Sequence, residues 1–263
     1  MLHPFILLGL ALAVLAGWAI PLQGAAIFWG GALLWLGFSL AAVVLYALAL
    51  LIASYFVDTE HYPEKNHRGC RAMVAFTMGC ICRLLGVRIQ VSGLEKLPRG
   101  RFLLVANHRS NLDPIVLGWA LRKYGVVFVM KQEMVKWPLV GPLVFRGGYI
   151  PLDRDNNRAA LKAILRAVDV LKKDWCSVGI FPEGTRNKGQ GLLEFRNGAF
   201  KIAQKSQVPV VVVKLTGTNP LRLPRSTRVQ VEVLETLDRE YVAGHDTAQI
   251  GERVREILLE DRG

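Results

Sequence analysis

The first 57 residues of this 263-residue chain contain no Asp, Glu, Lys or Arg. All 33 basic and 21 acidic residues therefore lie from Asp58 onward. Two apolar segments, residues 5–22 and 26–56, fill most of the uncharged part. About 20 apolar residues suffice for a helix to cross the core of a bilayer. The absence of charge predicts a membrane-anchoring helical hairpin over residues 1–57.

The start of the chain, MLHPF, also lacks the Lys or Arg that opens a cleaved signal peptide. Even if residues 5–22 were cleaved, the second apolar segment would stay as a stop-transfer sequence. Basic residues begin just past it, at Lys65, Arg68 and Arg71, and such flanks stay on the cytoplasmic side. We therefore expect a cell inner membrane protein whose later domain lies on the cytoplasmic face.

Cysteine is scarce and unpaired in sequence. No C-x-x-C pair occurs among the four cysteines, Cys70, Cys80, Cys82 and Cys176. This spacing is typical of reduced thiols in the cytosol, and we expect no metal site, even with His61 or His67 nearby. Three of the cysteines lie in residues 69–87, an apolar stretch broken by arginines, which predicts an amphipathic helix. Residues 58–87 are thus a linker whose helix either lies at the membrane interface or packs on the following domain.

The formal net charge of +12 raises the question of a nucleic-acid partner. The chain has no basic stripe interleaved with aromatic residues and no known nucleic-acid reader motif. We therefore expect no nucleic acid. A basic surface is suited to anionic membrane lipids instead.

Short apolar runs alternate with helical patterns from residue 88 onward. The seven runs read VRIQV, RFLLVAN, VVFVM, GYIPL, SVGIF, VPVVVVKL and VQVEVLE. Helical composition or period falls at residues 114–123, 133–145, 157–173, 198–205 and 247–259. This alternation predicts an α/β domain over residues 88–263, with a mixed, largely parallel sheet flanked by helices.

Polar residues follow four of these runs. In chain order they are His108 with Asp113, then Lys131, then Asp153 with Arg154, then Pro182, Glu183, Gly184, Thr185 and Arg186. Ligands of open α/β sheets bind beyond the carboxyl ends of the strands. We therefore expect these four strand ends to line one crevice.

The segment ANHRSNLDP places His108 and Asp113 five residues apart. Asp113 before Pro114 alone reads as a helix N-cap followed by a first helical residue. Together with His108, its carboxylate can fix the tautomer of the imidazole and stabilise the imidazolium, as in a general-base pair. No G-x-S-x-G elbow supplies a nucleophile, and Ser110 is an unproven candidate. The group that His108 deprotonates would then be a substrate hydroxyl.

Two blocks, NHRSNLD and FPEGTR, resemble conserved blocks of the glycerophospholipid acyltransferase superfamily. GGYIPLDR and VPVVVV resemble its other two blocks in the same order, over roughly residues 87–220. Within the superfamily, the bacterial 1-acylglycerol-3-phosphate acyltransferase family is the nearest match. Pro151 and the long N-terminal hairpin depart from the compact members of the family, but neither touches the His108 and Asp113 pair.

This resemblance implies transfer of a fatty acyl chain to the free sn-2 hydroxyl of lysophosphatidic acid, which gives phosphatidic acid. The donor would be acyl-CoA or acyl-carrier protein, with no further cofactor. The resemblance makes His108 the base and Asp113 its orienting partner. It assigns the acceptor site to Glu183, Gly184, Thr185 and Arg186, with Lys131 and Arg154 near the phosphate. Because a carboxylate repels phosphate, Glu183 is predicted to meet a glycerol hydroxyl or Arg186.

Two alternatives stay open at this point. A sibling acyltransferase would use the same pair of residues on glycerol 3-phosphate or another lysolipid. A catalytically inert membrane scaffold would keep the fold but lose the pair or the arginines, and this sequence has both.

Overall fold

The computed structural model describes residues 3–19, 26–153, 156–187, 189, 191–219 and 227–260. Its sheet has seven strands, one at each of the predicted apolar runs. They are β1 (Val87–Ser92), β2 (Leu103–Ala106), β3 (Val126–Lys131), β4 (Ile150–Leu152), β5 (Ser177–Ile180), β6 (Val210–Thr216) and β7 (Thr227–Leu237). The predicted fold class is confirmed.

The strands lie in the order β1-β7-β6-β2-β5-β3-β4. Five neighbouring strands, from β6 to β4, are mutually parallel, and β7 runs antiparallel to β6. The carboxyl ends of β2, β5, β3 and β4 therefore follow one another along the same edge of the sheet. We call this edge the carboxyl edge, and the described residues of the four predicted polar clusters lie there.

The centre of the sheet is apolar on both faces. Every residue of β2 is fully buried, and so are Val210, Val211, Val212 and Val213 of β6. Continuous runs of this kind are typical of parallel strands covered by helices on both sides. Such strands form a rigid base from which the loops at the carboxyl edge project.

Nine α-helices are described. They are α1 (His3–Ala19), α2 (Ala26–Tyr55), α3 (Arg68–Leu84), α4 (Asp113–Ala120), α5 (Gly141–Arg146), α6 (Asn157–Lys172), α7 (Lys201–Ser206), α8 (Arg239–Gly244) and α9 (Thr247–Leu259). The single helix predicted over residues 133–145 is wrong. A 3₁₀ turn, Gln132–Lys136, precedes α5 instead, because Pro138 disfavours helical backbone in the residue before it and Leu139 has a φ of 67°.

Helices α1 and α2 form the predicted apolar hairpin. The indole nitrogen Nε1 of Trp35 donates a 3.0 Å hydrogen bond to the carbonyl of Ile6, and the backbone of Ser39 lies against Gly9. The segment Trp29–Tyr55 is long and apolar enough to cross a membrane, and only 6% of its most apolar window is buried. The shorter apolar helix Pro4–Ala16 lies beside it. This exposed apolar surface indicates membrane association.

Helix α3 joins the hairpin to the sheet domain. Its buried residues include Val74, Met78 and Cys82, and Gly79 allows the ring of Trp119 on α4 to approach its backbone closely. The opposite side of α3 faces α2, where the hydroxyl groups of Tyr46 and Thr77 lie 2.9 Å apart. Helix α3 therefore packs on the domain and also contacts α2, and its position at a membrane interface stays a prediction.

All four cysteines are free. Burial raises the pKa of the Cys82 and Cys176 thiols to about 11, so both are protonated at neutral pH. Neither is therefore activated as a nucleophile.

Candidate active site

His108 and Asp113 meet at the end of β2. The ring nitrogen Nδ1 of His108 lies 2.8 Å from Oδ2 of Asp113. Because an ionised carboxylate only accepts, Nδ1 carries the proton and donates it, which leaves Nε2 as a lone-pair acceptor. The imidazole is 12% exposed, and within the described chain no group bonds Nε2. A partly open imidazole with a free Nε2 is suited to take a proton from a bound hydroxyl.

The Asp113 carboxylate is completely buried. Its Oδ2 also accepts hydrogen bonds from the backbone amides of Arg109 at 2.6 Å and Ser110 at 2.7 Å. Asp113 is the first residue of α4, where the helix dipole stabilises negative charge. The simpler interpretation of Asp113 as an N-cap is wrong, because Leu112 holds that position and the carboxylate turns back onto the loop. This loop geometry fixes the orientation of the imidazole.

Glu183 supports the same loop from β5. It is 4% exposed, and its Oε1 accepts a 2.8 Å hydrogen bond from the backbone amide of His108. Its Oε2 accepts a 3.0 Å bond from the amide of Leu193. Both carboxylate oxygens are thus occupied by backbone, which places Glu183 beneath His108. The geometry favours a positioning role for Glu183 over the contact with substrate or Arg186 predicted from the sequence.

A second link fastens the FPEGTR loop to the end of β2. The backbone amide of Asn187 donates a 2.8 Å hydrogen bond to the carbonyl of His108. Residues 183 and 187, on either side of Arg186, are therefore both bonded to the backbone of His108. Arg186 itself is exposed. Its guanidinium can consequently reach a group bound next to the imidazole.

The other predicted site residues lie along the same edge. Gly184 has a φ of 67°, a conformation that favours glycine, and a Cβ there would lie 2.7 Å from Nε of Arg196. Thr185 is exposed beside it, and Lys131 is exposed at the end of β3. Strands lie about 4.8 Å apart, so Lys131 starts roughly 10 Å from β2. Arg154 falls outside the described residues.

Two residues that the sequence did not single out shape the site. Phe181 stacks on the imidazole of His108, with ring centroids 4.2 Å apart. Asn107 is buried, and its side chain bonds both the amide and the carbonyl of Leu215, which holds the end of β2 against β6. Their sequence signal is only their position, directly after β5 and β2. The stack of Phe181 on His108 requires β5 beside β2, and the bonds of Asn107 to Leu215 require β6 beside β2. The sequence does not reveal this strand order.

An apolar cavity of about 180 Å³ is bordered by Phe181, whose ring lies between the imidazole of His108 and the ring of Phe128. Leu152, Ala163 and Ile164 are among its walls. Since Phe181 borders both this cavity and the imidazole, an apolar chain in the cavity would end close to His108.

In the described part of the chain, no group of three His, Cys, Asp or Glu residues could hold a metal ion.

The chain is similar to known acyltransferases. Residues 88–216 match the family model named Acyltransferase. The chain is 32% identical over 234 residues to the 1-acyl-sn-glycerol-3-phosphate acyltransferase of Salmonella typhimurium, covering 84% of this chain and 93% of that protein. The chain belongs to the acyltransferase family.

Other members of the acyltransferase family match over different lengths. The protein of the same name from Haemophilus influenzae is 30% identical, with 63% of this chain and 70% of that protein covered. The protein from Limnanthes douglasii is 35% identical over 54% of this chain, and the chain spans only half (50%) of its length. The crystal structure of the 1-acyl-sn-glycerophosphate (LPA) acyltransferase from Thermotoga maritima superimposes with a TM-score of 0.59. It is 24% identical and covers 83% of this chain and 90% of that one. That likeness shows the acyltransferase fold, and the resemblance seen in the four sequence blocks is confirmed.

Proposed function

We propose that the protein transfers a fatty acyl chain from an acyl thioester to the free sn-2 hydroxyl of 1-acyl-sn-glycerol 3-phosphate, which gives phosphatidic acid. The observation that carries this proposal is the His108 and Asp113 pair, with a free Nε2 beside the FPEGTR loop. The Salmonella and Haemophilus relatives are named 1-acyl-sn-glycerol-3-phosphate acyltransferases, which supports the choice of acceptor.

In the proposed reaction, Nε2 of His108 takes the proton of the acceptor hydroxyl as its oxygen attacks the thioester carbonyl carbon. The ionised Asp113 stabilises the imidazolium that forms. The carbon–sulfur bond then breaks, and the imidazolium returns its proton to the leaving thiolate. The acyl chain is suited to the apolar cavity, because Phe181 lines that cavity and also stacks on the imidazole, so the carbonyl end of the chain would lie near His108.

The phosphate of the acceptor is proposed to meet Arg186, with Lys131 further along the edge and with Arg154, which lies outside the described residues. Arg186 is better placed than Lys131, because its loop is bonded to the backbone of His108 on both sides. Arginine can also grip a phosphate with two parallel hydrogen bonds, whereas lysine offers a point charge.

Replacing Arg186 by alanine is expected to lower kcat/KM for lysophosphatidic acid about 10- to 150-fold, since hydrogen bonds to charged groups are worth about 1.5–3 kcal/mol. A monoacylglycerol, which has no phosphate, should be a poor substrate that loses little further. Arg154→Ala is compared in the same assay. Arg239→Ala, an exposed arginine on α8, is the matched control and should keep both activities. Equal losses of kcat/KM for lysophosphatidic acid and monoacylglycerol would contradict the phosphate-binding role of Arg186.

Replacing Glu183 by glutamine is expected to harm the enzyme less than replacing it by alanine. Glutamine keeps one acceptor for the amides of His108 and Leu193, whereas alanine leaves both buried donors unpaired at about 1–3 kcal/mol each. Thermal unfolding and kcat/KM of both variants give the order. A larger loss in Glu183→Gln than in Glu183→Ala would contradict the positioning role.

A sibling reaction on glycerol 3-phosphate or another lysolipid would use the same base. The decisive experiment incubates purified protein with a panel of lysolipids and with acyl-CoA or acyl-carrier protein as donor, and identifies the products by mass spectrometry. Phosphatidic acid from lysophosphatidic acid is the expected main product. Preferential acylation of a different acceptor would replace the proposed substrate, and no acyl transfer to any acceptor would overturn the proposed function.

We also propose that the sheet domain lies on the cytoplasmic face of the bacterial inner membrane. Lys65, Arg68 and Arg71 are the first basic residues after α2 and lie 10 to 16 residues beyond its end at Tyr55, as expected for a cytoplasmic flank. Removing residues 1–56 is expected to release at least part of the protein from membranes, because the candidate span Trp29–Tyr55 is lost. Sedimentation of both proteins in high salt measures this. A truncated chain that stayed wholly membrane-bound would contradict the anchor.

A further inference from the structure

A pocket lined by cationic side chains, here called the basic pocket, lies at the opposite edge of the sheet from His108. It has a volume of about 420 Å³ and borders Gly125, which precedes β3. Five cationic side chains line it: Arg68, Arg71, Arg101, Arg122 and Lys123. The six residues of β3, at about 3.3 Å each, put roughly 20 Å between this pocket and the carboxyl edge. The pocket is therefore separate from the catalytic residues.

Three of the five cations, Arg71, Arg101 and Arg122, are engaged by neighbouring groups. Arg71 donates a 3.0 Å hydrogen bond to the carbonyl of Gly147, and Arg101 pairs with Asp174 at 2.7 Å. Among the described residues, no carboxylate lines the pocket itself. Arg68 and Lys123 are exposed and make no hydrogen bond or ion pair with any described residue. The pocket thus carries uncompensated positive charge, which attracts an anion.

Two tryptophans form part of the pocket wall, and Arg122 is fixed against one of them. Its guanidinium stacks over the ring of Trp119 at 4.0 Å and donates a 2.9 Å hydrogen bond to the carbonyl of the same residue. Trp175 forms another part of the wall. Tryptophan is enriched where proteins meet the membrane–water interface. Cations beside tryptophan are suited to the depth of lipid headgroups.

The pocket also touches the membrane anchor. Phe76 of α3 lines it, and the ring of Phe76 packs against Phe5 of α1 at 6.1 Å and Tyr46 of α2 at 5.4 Å. Tyr46 is the eighteenth of the 27 residues of the candidate span, nine residues before its carboxyl end. The pocket therefore adjoins the half of the anchor that leads into α3, where a lipid beside the hairpin can present its headgroup.

We propose that this pocket binds the phosphate of an anionic phospholipid of the host bilayer, a lipid distinct from the acceptor that is acylated. Arg68 and Lys123 would supply the charge, and the tryptophans the wall. Such a lipid would fasten α3 and α4 to the membrane surface and so fix the orientation of the sheet domain on the bilayer. The thioester donor is a less suitable occupant, because its reacting carbonyl must reach His108 at the other edge of the sheet.

The test uses the full chain, purified in a neutral detergent, and follows its Tm. Short-chain phosphatidylglycerol is expected to raise the Tm, and short-chain phosphatidylcholine, coenzyme A and inorganic phosphate to have a clearly smaller effect. In the double variant Arg68→Gln/Lys123→Gln, the apparent affinity for phosphatidylglycerol should fall about tenfold, as expected for two exposed charged contacts. Arg88→Gln/Lys205→Gln removes the same charge from exposed positions elsewhere and should respond like the wild type.

The charge-preserving variant Arg68→Lys/Lys123→Arg should also keep the response to phosphatidylglycerol. If this charge-preserving variant lost the response to phosphatidylglycerol, the proposal would be overturned. Equal losses of affinity in Arg68→Gln/Lys123→Gln and in the control Arg88→Gln/Lys205→Gln would also overturn it, because they would mean diffuse attraction to the whole basic surface. Equal protection by coenzyme A or inorganic phosphate would assign the pocket to the thioester donor or to a free anion. The activity of the glutamine variants in detergent should stay near that of the wild type, so that a failure here is distinct from a failure of the proposed reaction.

Discussion

Replacing His108 by alanine is expected to lower kcat about 10²- to 10⁴-fold, the usual loss when a general base is removed. The reason is that Nε2 of His108 has no substitute, since no other described side chain takes a proton at that position. The KM for lysophosphatidic acid should change little, because the imidazole is proposed to act on the hydroxyl during the reaction. Steady-state kinetics with both substrates varied measure the two constants.

A second His–Asp pair supplies the matched control. His61 lies 3.0 Å from Asp58, but both side chains are mostly exposed and lie in the segment between α2 and α3. His61→Ala should therefore keep nearly full activity. The Tm of His108→Ala should fall only moderately, because Asp113 keeps its hydrogen bonds from the amides of Arg109 and Ser110. Near-normal turnover by His108→Ala would exclude the proposed base.

Replacing Asp113 by asparagine is expected to cost kcat a similar factor of about 10² to 10⁴. An asparagine is neutral, so it no longer stabilises the imidazolium. If its amide group turns towards Nδ1, it also donates where the carboxylate accepted, and the proton of the ring then moves to Nε2. Both effects act on the proton transfer, and kinetics of the same design as for His108 report them.

Asp169→Asn is the control for this substitution. Asp169 pairs with Lys173 at 2.7 Å on the surface of α6, where one exposed ion pair contributes little. This variant should keep wild-type kcat and Tm. A strong loss of Tm in Asp113→Asn without a matching loss of kcat would show that Asp113 only stabilises the loop, and would contradict its role in catalysis.

The sequence predicted the contact between His108 and Asp113 because the two residues are only five positions apart, on either side of one short turn. A parallel strand must be followed by a turn before its helix, and the short turn between β2 and α4 brings the side chains of His108 and Asp113 together. The seven strands were equally visible, since buried strands require continuous apolar runs such as residues 210–213.

The role of Glu183 was not visible in the same way. Its partners, the amides of His108 and Leu193, lie 75 and 10 residues away in sequence, and only the pairing of β2 with β5 brings the first of them close. The stack of Phe181 on His108 depends on that same pairing. The place of β7 between β1 and β6 follows from long-range contacts that local patterns do not encode. Likewise, the basic pocket combines residues from α3, α4 and the starts of three strands.

The central claim is that His108 activates the acceptor hydroxyl for direct attack on the thioester, with no acyl group held on the protein. The most direct measurement mixes purified protein with an acyl thioester, with and without lysophosphatidic acid, and follows thiol release, phosphatidic acid and the intact mass of the protein. We expect thiol release only when the acceptor is present, one phosphatidic acid for each thiol, and an unchanged protein mass. Rapid thiol release without acceptor, accompanied by an acylated protein, would contradict the claim.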